Sequence, residues 1–540
     1  MQGQMMNRPL LISGLLEHAE QVYPGSEIVS RQVEGGIHRY TYADAGKRCR
    51  KLANALARLG VEPGDRVGTL AWNTNRHYEL YFAVSGVQAV VHTVNPRLFP
   101  EQIVYIINHA EDRYLFVDLT FVALLESFAD QLTSLRGIIV MTDRANMPNS
   151  SIDGLLCYEE LLEAESDQYD WPSFSEESAA ALCYTSGTTG NPKGVLYSHR
   201  STILHAQAIC QPQALNISSD SIVLPVVPMF HVCAWGSPYA VTLTGAKLVF
   251  PGPNMDGESL HQLIDAEQVN MALGVPTIWM GLLAYMKEIG KTLESVESVV
   301  VGGAAASQTM IQQFEETHGI FLVHAWGMTE TSPLGTISSC SQEMKEMPLA
   351  QRYKLQQKQG RPIYGVSIKI VDDDGVELAR DGKAFGRLLI TGPWIAASYF
   401  REDHPENFIE GWFDTGDVAT IDSKGYMQIV DRRKDVIKSG GEWISSIELE
   451  NAALGHPSVT ESCVIGVAHP KWDERPILLI VKKSGETLAE AEMIEFLTGK
   501  VAKWWLPDAV VFVEELPHTA TGKLLKMTLR EQYQSYLIDR

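Results

Sequence analysis

Long apolar runs are missing from this chain. Its first apolar cluster, Leu10-Leu11-Ile12, is interrupted by Ser13 and Gly14 and turns acidic at Glu17 and Glu20, too short and too broken for a signal peptide or a spanning helix. A cytoplasmic protein without integral membrane association is expected. Bases are outnumbered as well: 44 Lys and Arg stand against 66 Asp and Glu, a net charge of −22. Nucleic acid and anionic membranes reward clustered Lys and Arg, so neither is an expected partner. Any phosphate must therefore be met by a local group of donors. Cysteine is sparse, with seven residues (Cys49, Cys157, Cys183, Cys210, Cys233, Cys340, Cys463) that are never spaced as C-x-x-C, so neither a disulfide framework nor a zinc site is suggested. Repeats and low-complexity tracts are lacking too. At 540 residues the chain exceeds one ordinary core, which predicts a large body and a smaller appendage.

What is present centres on Tyr184-Thr185-Ser186-Gly187-Thr188-Thr189-Gly190-Asn191-Pro192-Lys193-Gly194, directly after the apolar segment Ala179 to Cys183. Glycines let backbone N–H groups face an anion, while hydroxyls and an ammonium add donors in the same space. The segment reads as a phosphate cradle, with a flexible surface turn as the alternative. It does not match the P-loop pattern G-x-x-x-x-G-K-[ST], because Pro192 stands where the second glycine belongs and Gly194 follows Lys193.

Helix-like and strand-like stretches alternate before this loop. A helical pattern from Tyr40 to Leu59 ends at Gly60, Arg66 to Trp72 reads as a strand, and Glu79–Val87, Val90–Val94, Pro100–Ala110 and Tyr114–Val117 continue the alternation. Such order argues an α/β class with largely parallel sheets. Residues 142–178 read as a surface connection. After the cradle, Ile222 to Val227 runs into Pro228-Met229-Phe230-His231-Val232-Cys233-Ala234-Trp235-Gly236, where a histidine and a tryptophan among apolar neighbours either line a pocket or belong to the core. Val299 to Val301, the loop Gly302-Gly303-Ala304-Ala305-Ala306, a helix capped by Ser307 and stopped at Gly319, and Ile320 to Val323 form a βαβ unit. Its two loops, the second being Ala325-Trp326-Gly327-Met328-Thr329-Glu330-Thr331, should leave one sheet edge as a ligand site. There Gly302 and Gly303 admit a flat ring, Trp326 offers a stacking face, and Glu330 is either a hard ligand for Mg2+ or a helix-terminal acid. Farther on, Asp417 stands in what reads as a turn after Gly411. The charge run Asp431-Arg432-Arg433-Lys434-Asp435 reads as a solvated linker and a domain boundary near Lys434. The remaining residues suffice for a small α+β domain, whose last loop presents Lys523 after Gly522.

Taken together and in this order, the loops resemble those of the adenylate-forming enzymes, the superfamily of acyl-CoA synthetases, peptide-synthetase adenylation domains and firefly luciferase. Tyr184 to Gly194 is similar to its phosphate loop, Trp326 to Glu330 to its aromatic-Gly-x-Thr-Glu signature, Thr415-Gly416-Asp417 to its ribose-binding segment, Asp431 to Lys434 to its hinge, and Thr521-Gly522-Lys523 to its catalytic-lysine loop. The resemblance implies an N-terminal ATP- and acyl-binding domain over residues 1–433 and a mobile C-terminal domain over 434–540, hinged at Lys434. It implies ATP, Mg2+ and CoA as cofactor and co-substrates, and a small-molecule carboxylic acid as the partner. Thr185, Ser186, Gly187, Thr188, Thr189 and Lys193 would hold phosphates, with Thr185 and Glu330 at the metal. Gly302, Gly303 and Ala304 would frame adenine against Trp326; Gly327, Met328 and Thr329 would also bind the nucleotide, and Asp417 with Arg432 would hold the ribose. Lys523, Glu330 and Thr185 would be catalytic, Gly440 and Gly441 would border the pantetheine channel, and Glu442 and Trp443 would be cofactor-binding beside them. His231, Val232, Trp235, Gly302 and Gly303 would shape the acyl site.

Longer strings, Asn95-Pro96-Arg97-Leu98-Phe99, Pro228 to His231, Ile437 to Ser445 and Trp472-Asp473-Glu474-Arg475-Pro476, are similar to the branch of medium-chain fatty acyl-CoA synthetases and 3-methylmercaptopropionate-CoA ligases. Those acids are the implied candidates. Cys233 stands where this branch implies Asn, Ala306-Ser307 where it implies Cys-Pro, and Trp505 where Gln is common. A carrier-protein-loading enzyme and an ATP-and-acid-binding protein without turnover are the alternatives, and a homodimer is left open.

Overall fold

The computed structural model describes residues 1, 3–185, 191–402, 406–439, 442–518 and 524–539, with the side chains of Glu442 and Trp443 excepted. Two largely parallel sheets dominate. The first has nine strands among the described residues, with Phe321–Gly327, Ser298–Val301, Met271–Gly274, Ile222–Pro225, Lys247–Phe250 and Glu27–Arg31 side by side and parallel, and antiparallel strands at both edges. Val299, Val300 and Val301 show why: residues buried on both faces make a continuous apolar strand, and at most 1% of each is exposed. The second sheet has seven strands among the described residues and runs from Leu156–Cys157 to the antiparallel edge strand Gly194–Ser198.

Between the sheets lies the helix Asn75–Gly86, every residue of which is buried. A helix covered all round needs partners for its polar groups. Its Glu79 accordingly takes Arg48 at 2.8 Å and the Tyr158 hydroxyl at 2.6 Å, while Tyr78 meets the Thr242 hydroxyl at 2.8 Å. Tyr158 belongs to a helix, Tyr158–Glu163, which follows the short strand Leu156–Cys157. The stretch 142–178 is therefore not simply a surface connection. Elements of two and six residues are too short to show a period.

An antiparallel sheet of five strands among the described residues follows, built on Phe385–Thr391, Trp412–Ile421 and Met427–Arg432. Asp417 thus lies within a strand, where the register shifts beside Leu388, rather than in a free turn. The last sheet joins Ile437–Ser439, Asp473–Lys482, Val459–His469 and Ala509–Val513, with the helices Ser446–Leu454 and Glu490–Leu497 on its flank. Its core is separate, formed by Ile437, Val464, Leu478, Leu497 and Val510. The charged run before it is not a solvated linker throughout, because Asp431 is 1% exposed and accepts the Ser446 N–H at 2.7 Å. Among the described residues no helix is long and apolar enough to cross a membrane.

Candidate active site

Loops at the strand ends of the two parallel sheets carry most of the candidate residues. Strand Ala179–Tyr184 pairs antiparallel with Gly194–Ser198, so the cradle is the tip of a hairpin. Thr185 closes its base: its N–H donates to the Lys193 carbonyl at 2.9 Å, and its hydroxyl accepts the Lys193 N–H at 3.1 Å. Ser186, Gly187, Thr188 and Thr189 lie outside the described residues. The Lys193 ammonium pairs with Glu402 at 3.0 Å and stands 4.7 Å from the centre of the Tyr399 ring.

Glu330 lies in the single turn Thr329–Thr331 after strand Phe321–Gly327. It is buried, and its Oε1 accepts the Tyr399 hydroxyl at 2.7 Å. The Tyr197 hydroxyl, on the return strand of the hairpin, donates to the Thr329 carbonyl at 2.6 Å, which ties the two sheets together at this edge. No group of three or more His, Cys, Asp or Glu able to hold a metal occurs among the described residues. One buried carboxylate fits a cation that keeps waters and takes its other oxygens from phosphates, as Mg2+ does, and not an all-protein cage.

On the neighbouring side, three predicted residues from three strands converge. The Trp326 indole N–H donates to Asp417 Oδ2 at 3.0 Å, and Arg432 Nε meets Asp417 Oδ1 at 2.9 Å. Asp417 is only 2% exposed. Its position is set by the Thr415 hydroxyl, which accepts the Asp417 N–H at 3.1 Å, and by the cross-strand register that places it opposite Arg432. Trp326 itself sits in the strand, not in a loop as the sequence suggests. Gly327 ends that strand, and a Cβ there would fall 1.7 Å from the Pro333 carbonyl oxygen, so the reversal after Trp326 requires glycine.

The loop after Ser298–Val301 is anchored by a residue sequence reasoning missed. His324 is buried; its Nδ1–H donates to the Gln356 carbonyl at 3.1 Å, and Nε2 accepts the Ala306 N–H at 3.4 Å. Burial pushes its pKa down to about 4, which keeps the ring neutral and both bonds available. Ala306 is buried in consequence, and the Ser307 hydroxyl accepts the Met310 N–H at 3.3 Å as the expected cap. Ala304 and Gly303 face solvent. Gly302 does not: a Cβ on it would stand 2.9 Å from the Trp235 ring, so the glycine loop and the apolar segment pack directly on each other.

That apolar segment has an unusual backbone. Val232, Cys233, Ala234 and Trp235 have φ of 42°, 54°, 49° and 57°, before Gly236 at 74°. Each L residue held in a left-handed helical turn costs roughly 1–2 kcal/mol, so the surroundings must impose the run. Asn73 does part of this from the end of another sheet: its amide donates to the Pro225 and Val227 carbonyls at 2.8 and 2.9 Å and accepts the Met229 N–H at 2.6 Å. Cys233 is buried with its sulfur 3.7 Å from that of Cys183, on the strand leading into the cradle. His231 and Phe230 line a cleft with Tyr184, Thr185, Thr93 and Asn95, so the segment reaches the base of the hairpin.

The C-terminal candidates are described only in part. Lys523, Gly440 and Gly441 lie outside the described residues, and Glu442 and Trp443 are described as the backbone of strand Glu442–Ile444. Lys434 is exposed in the turn between Met427–Arg432 and Ile437–Ser439. Nearby, Arg530 pairs with Asp435, and the Ser445 hydroxyl donates to the Val430 carbonyl at 2.5 Å. Arg475 binds Asp508 at 2.6 Å and the Trp504 and Leu506 carbonyls. Trp505, beside them, packs against the C-terminal core rather than near the acyl segment.

Residues 16–400 match the family of AMP-binding enzymes, and residues 448–523 match the AMP-binding enzyme C-terminal domain. The chain is 52% identical over 537 residues to the 3-methylmercaptopropionyl-CoA ligase of Ruegeria lacuscaerulensis, covering 99% of this chain and 100% of the relative. It is 48% identical over 538 residues to the medium-chain-fatty-acid–CoA ligase of Ectopseudomonas oleovorans, covering 100% of this chain and 98% of that one. Among solved structures, the anthranilate CoA ligase AuaEII in complex with anthranoyl-AMP superposes with a TM-score of 0.87 at 25% identity, over 98% of this chain and 99% of that chain. The chain belongs to the AMP-binding enzyme family, as one of its adenylate-forming acyl-CoA synthetases.

Proposed function

We propose that this enzyme activates a short- to medium-chain carboxylic acid with ATP, releasing pyrophosphate, and passes the acyl group to CoA to give acyl-CoA and AMP. The observation that carries the reading is the buried Asp417 carboxylate, shared by the Trp326 indole and the Arg432 guanidinium on a strand beside the signature turn. A fixed carboxylate there can take a ribose diol while the indole faces the base.

A carboxylate is a poor acyl donor because its leaving group is oxide. Linking it to the α-phosphorus of ATP, with loss of pyrophosphate, replaces that leaving group with a stabilised phosphate. No protein nucleophile is needed, so catalysis rests on position and charge. Thr185 and Lys193, with Ser186, Thr188 and Thr189, would hold the phosphates that depart, and Lys523 would reach the acid oxygen and the α-phosphate. Glu330 and Thr185 would hold Mg2+, which supplies charge neutralisation to the triphosphate. The C-terminal domain would then turn at Lys434, withdrawing Lys523 and bringing Gly440 to Trp443 toward CoA.

The relatives' acids and the packing of Trp235 on Gly302 support a compact acyl pocket, and 3-methylmercaptopropionate is the first candidate acid. The test is a panel of straight-chain acids and 3-methylmercaptopropionate with ATP, Mg2+ and CoA, following AMP, pyrophosphate and acyl-CoA. Selectivity between neighbours should be modest, about 1–3 kcal/mol per methylene. AMP release without CoA consumption would overturn the thioester step. Lys523→Ala should abolish adenylation, yet spare thioester formation from supplied acyl-adenylate. Equal loss in both half-reactions would reject that role for Lys523.

A further inference from the structure

The segment Tyr399 to Glu402, which no motif singled out, touches both halves of the triphosphate site. The Tyr399 hydroxyl donates to Glu330 Oε1 at 2.7 Å, and the face of the same ring stands 4.7 Å from the Lys193 ammonium. The Phe400 N–H donates to the Gly194 carbonyl at 2.8 Å, next to that lysine. Arg401, at a φ of 58°, fixes the segment from the far side by donating to the His109 carbonyl at 2.8 Å and pairing with Glu111 at 2.7 Å. Glu402 then meets Lys193 at 3.0 Å. Tyr399, Phe400 and Glu402 thus fasten the hairpin base to the turn that carries Glu330, with Arg401 anchoring the segment beyond them.

We propose that Tyr399 is a positioning residue for the triphosphate site, aiming Glu330 at the divalent cation through its hydroxyl and Lys193 at the phosphates through its ring, while Glu402 holds Lys193 by an ion pair that the triphosphate displaces. The inference rests on the reading of Glu330 and Lys193 given under Proposed function. Tyr399 is 5% exposed. A buried donor on Oε1 orients the carboxylate, and that orientation matters for a cation bound by one carboxylate. The Lys193–Glu402 pair is partly exposed, 42% and 36%. A pair so hydrated yields readily to a polyphosphate, which brings several negative charges to one ammonium.

The test is calorimetric binding of ATP to the full chain, with and without Mg2+, together with thermal unfolding. Tyr399→Phe keeps the ring and loses the donor. It should leave magnesium-free ATP affinity unchanged and raise the Mg2+ concentration for half-maximal ATP binding about tenfold, the loss of one hydrogen bond to a charged group. Tyr399→Leu should weaken ATP binding in both conditions, and Phe at the same position should rescue the magnesium-free arm. Glu402→Gln should tighten magnesium-free binding by roughly twofold to fivefold, as expected for removing a partly exposed competitor. An unchanged Mg2+ requirement in Tyr399→Phe overturns the inference, and so does a lowered melting temperature with every constant, including the acid KM, shifted alike. If the unaltered enzyme itself fails to bind ATP, the proposed function falls first.

Discussion

Asp417 and Trp235 mark two sides of the proposed site, and they are held differently. Asp417 sits in ordinary extended backbone, and its carboxylate is fixed by hydrogen bonds from Trp326 and Arg432, each on a different strand. Trp235 ends a run of left-handed residues and is held against Gly302 by packing. The first arrangement is directional and concentrates its energy in a few bonds. The second is spread over many contacts and stores strain, so it tolerates change of chemistry better than change of volume. Asp417→Ala should therefore have the largest effect: AMP affinity falls about a hundredfold, roughly 3 kcal/mol, as two donors lose one shared acceptor. Acid binding to the nucleotide-saturated enzyme should change little. A comparable loss in acid affinity would mean that the two sides are one mechanical unit.

The packed side is broken next by volume. Gly302→Ala sets a methyl 2.9 Å from the Trp235 ring, which must shift or strain. Overpacking of this kind costs about 1–3 kcal/mol, to be read as a rise of roughly tenfold to a hundredfold in KM for the acid with a smaller rise in the Kd for AMP, whose adenine the same loop would frame. Trp235→Leu made in the same chain should relieve much of that rise, because it removes the atoms that collide. Failure of the second change to compensate would place the clash elsewhere.

The same contrast explains what could be read in advance. Glycines, hydroxyls, Lys193, Glu330 and Asp417 carry their chemistry in their residue types, and their order along the chain is what suggests the proposed nucleotide side. The parallel core was legible for a similar reason, since Val299 to Val301 and Val90 to Val94 are continuous apolar runs between helical patterns. Asn73, His324 and Tyr399 were not legible. Each acts through a contact made across the fold: Asn73 on the Pro225 and Val227 carbonyls, His324 on the Ala306 amide, Tyr399 on Glu330. No local spacing records such partners. Nor does any pattern announce the left-handed run, because Val232, Cys233, Ala234 and Trp235 are residue types that rarely adopt it. The short strand and helix within 142–178 escaped for want of length.

His324 links the two sides, because its bond to Ala306 shapes the loop on which Trp235 packs. Its pKa lies near 4 in the fold, against an ordinary value near 6.5 in the unfolded chain. The unfolded state thus binds the extra proton between these values. Stability from this residue is fully present above about pH 6.5 and is lost as pH falls toward about 4. Over that window the expected slope is about 1.4 kcal/mol per pH unit for one proton. His324→Asn should remove that component from the pH dependence of chemical unfolding, with one proton fewer taken up. An identical slope in the variant would show that other buried groups, such as His205 and His77, dominate the acid limb.

Cys233 provides the finest test of how the packed side is held. At φ 54° a cysteine carries backbone strain that asparagine tolerates better, and asparagine is the residue the branch resemblance implies there. The obstacle is burial, since an amide needs partners where a thiol does not. One is at hand: among the described residues the buried Tyr239 hydroxyl has no hydrogen-bond partner, and Tyr239 is among the groups that act on the Cys233 thiol. Cys233→Asn therefore gains in backbone and can give Tyr239 an acceptor, at the loss of the contact with Cys183. These terms are each of order 1 kcal/mol and of opposite sign, so stability should stay within about 1 kcal/mol of the parent while Cys233→Val, β-branched and disfavoured in this conformation, falls by more. If valine is tolerated as well as asparagine, packing rather than backbone conformation governs this turn, and the strain assigned to the acyl side is relieved elsewhere.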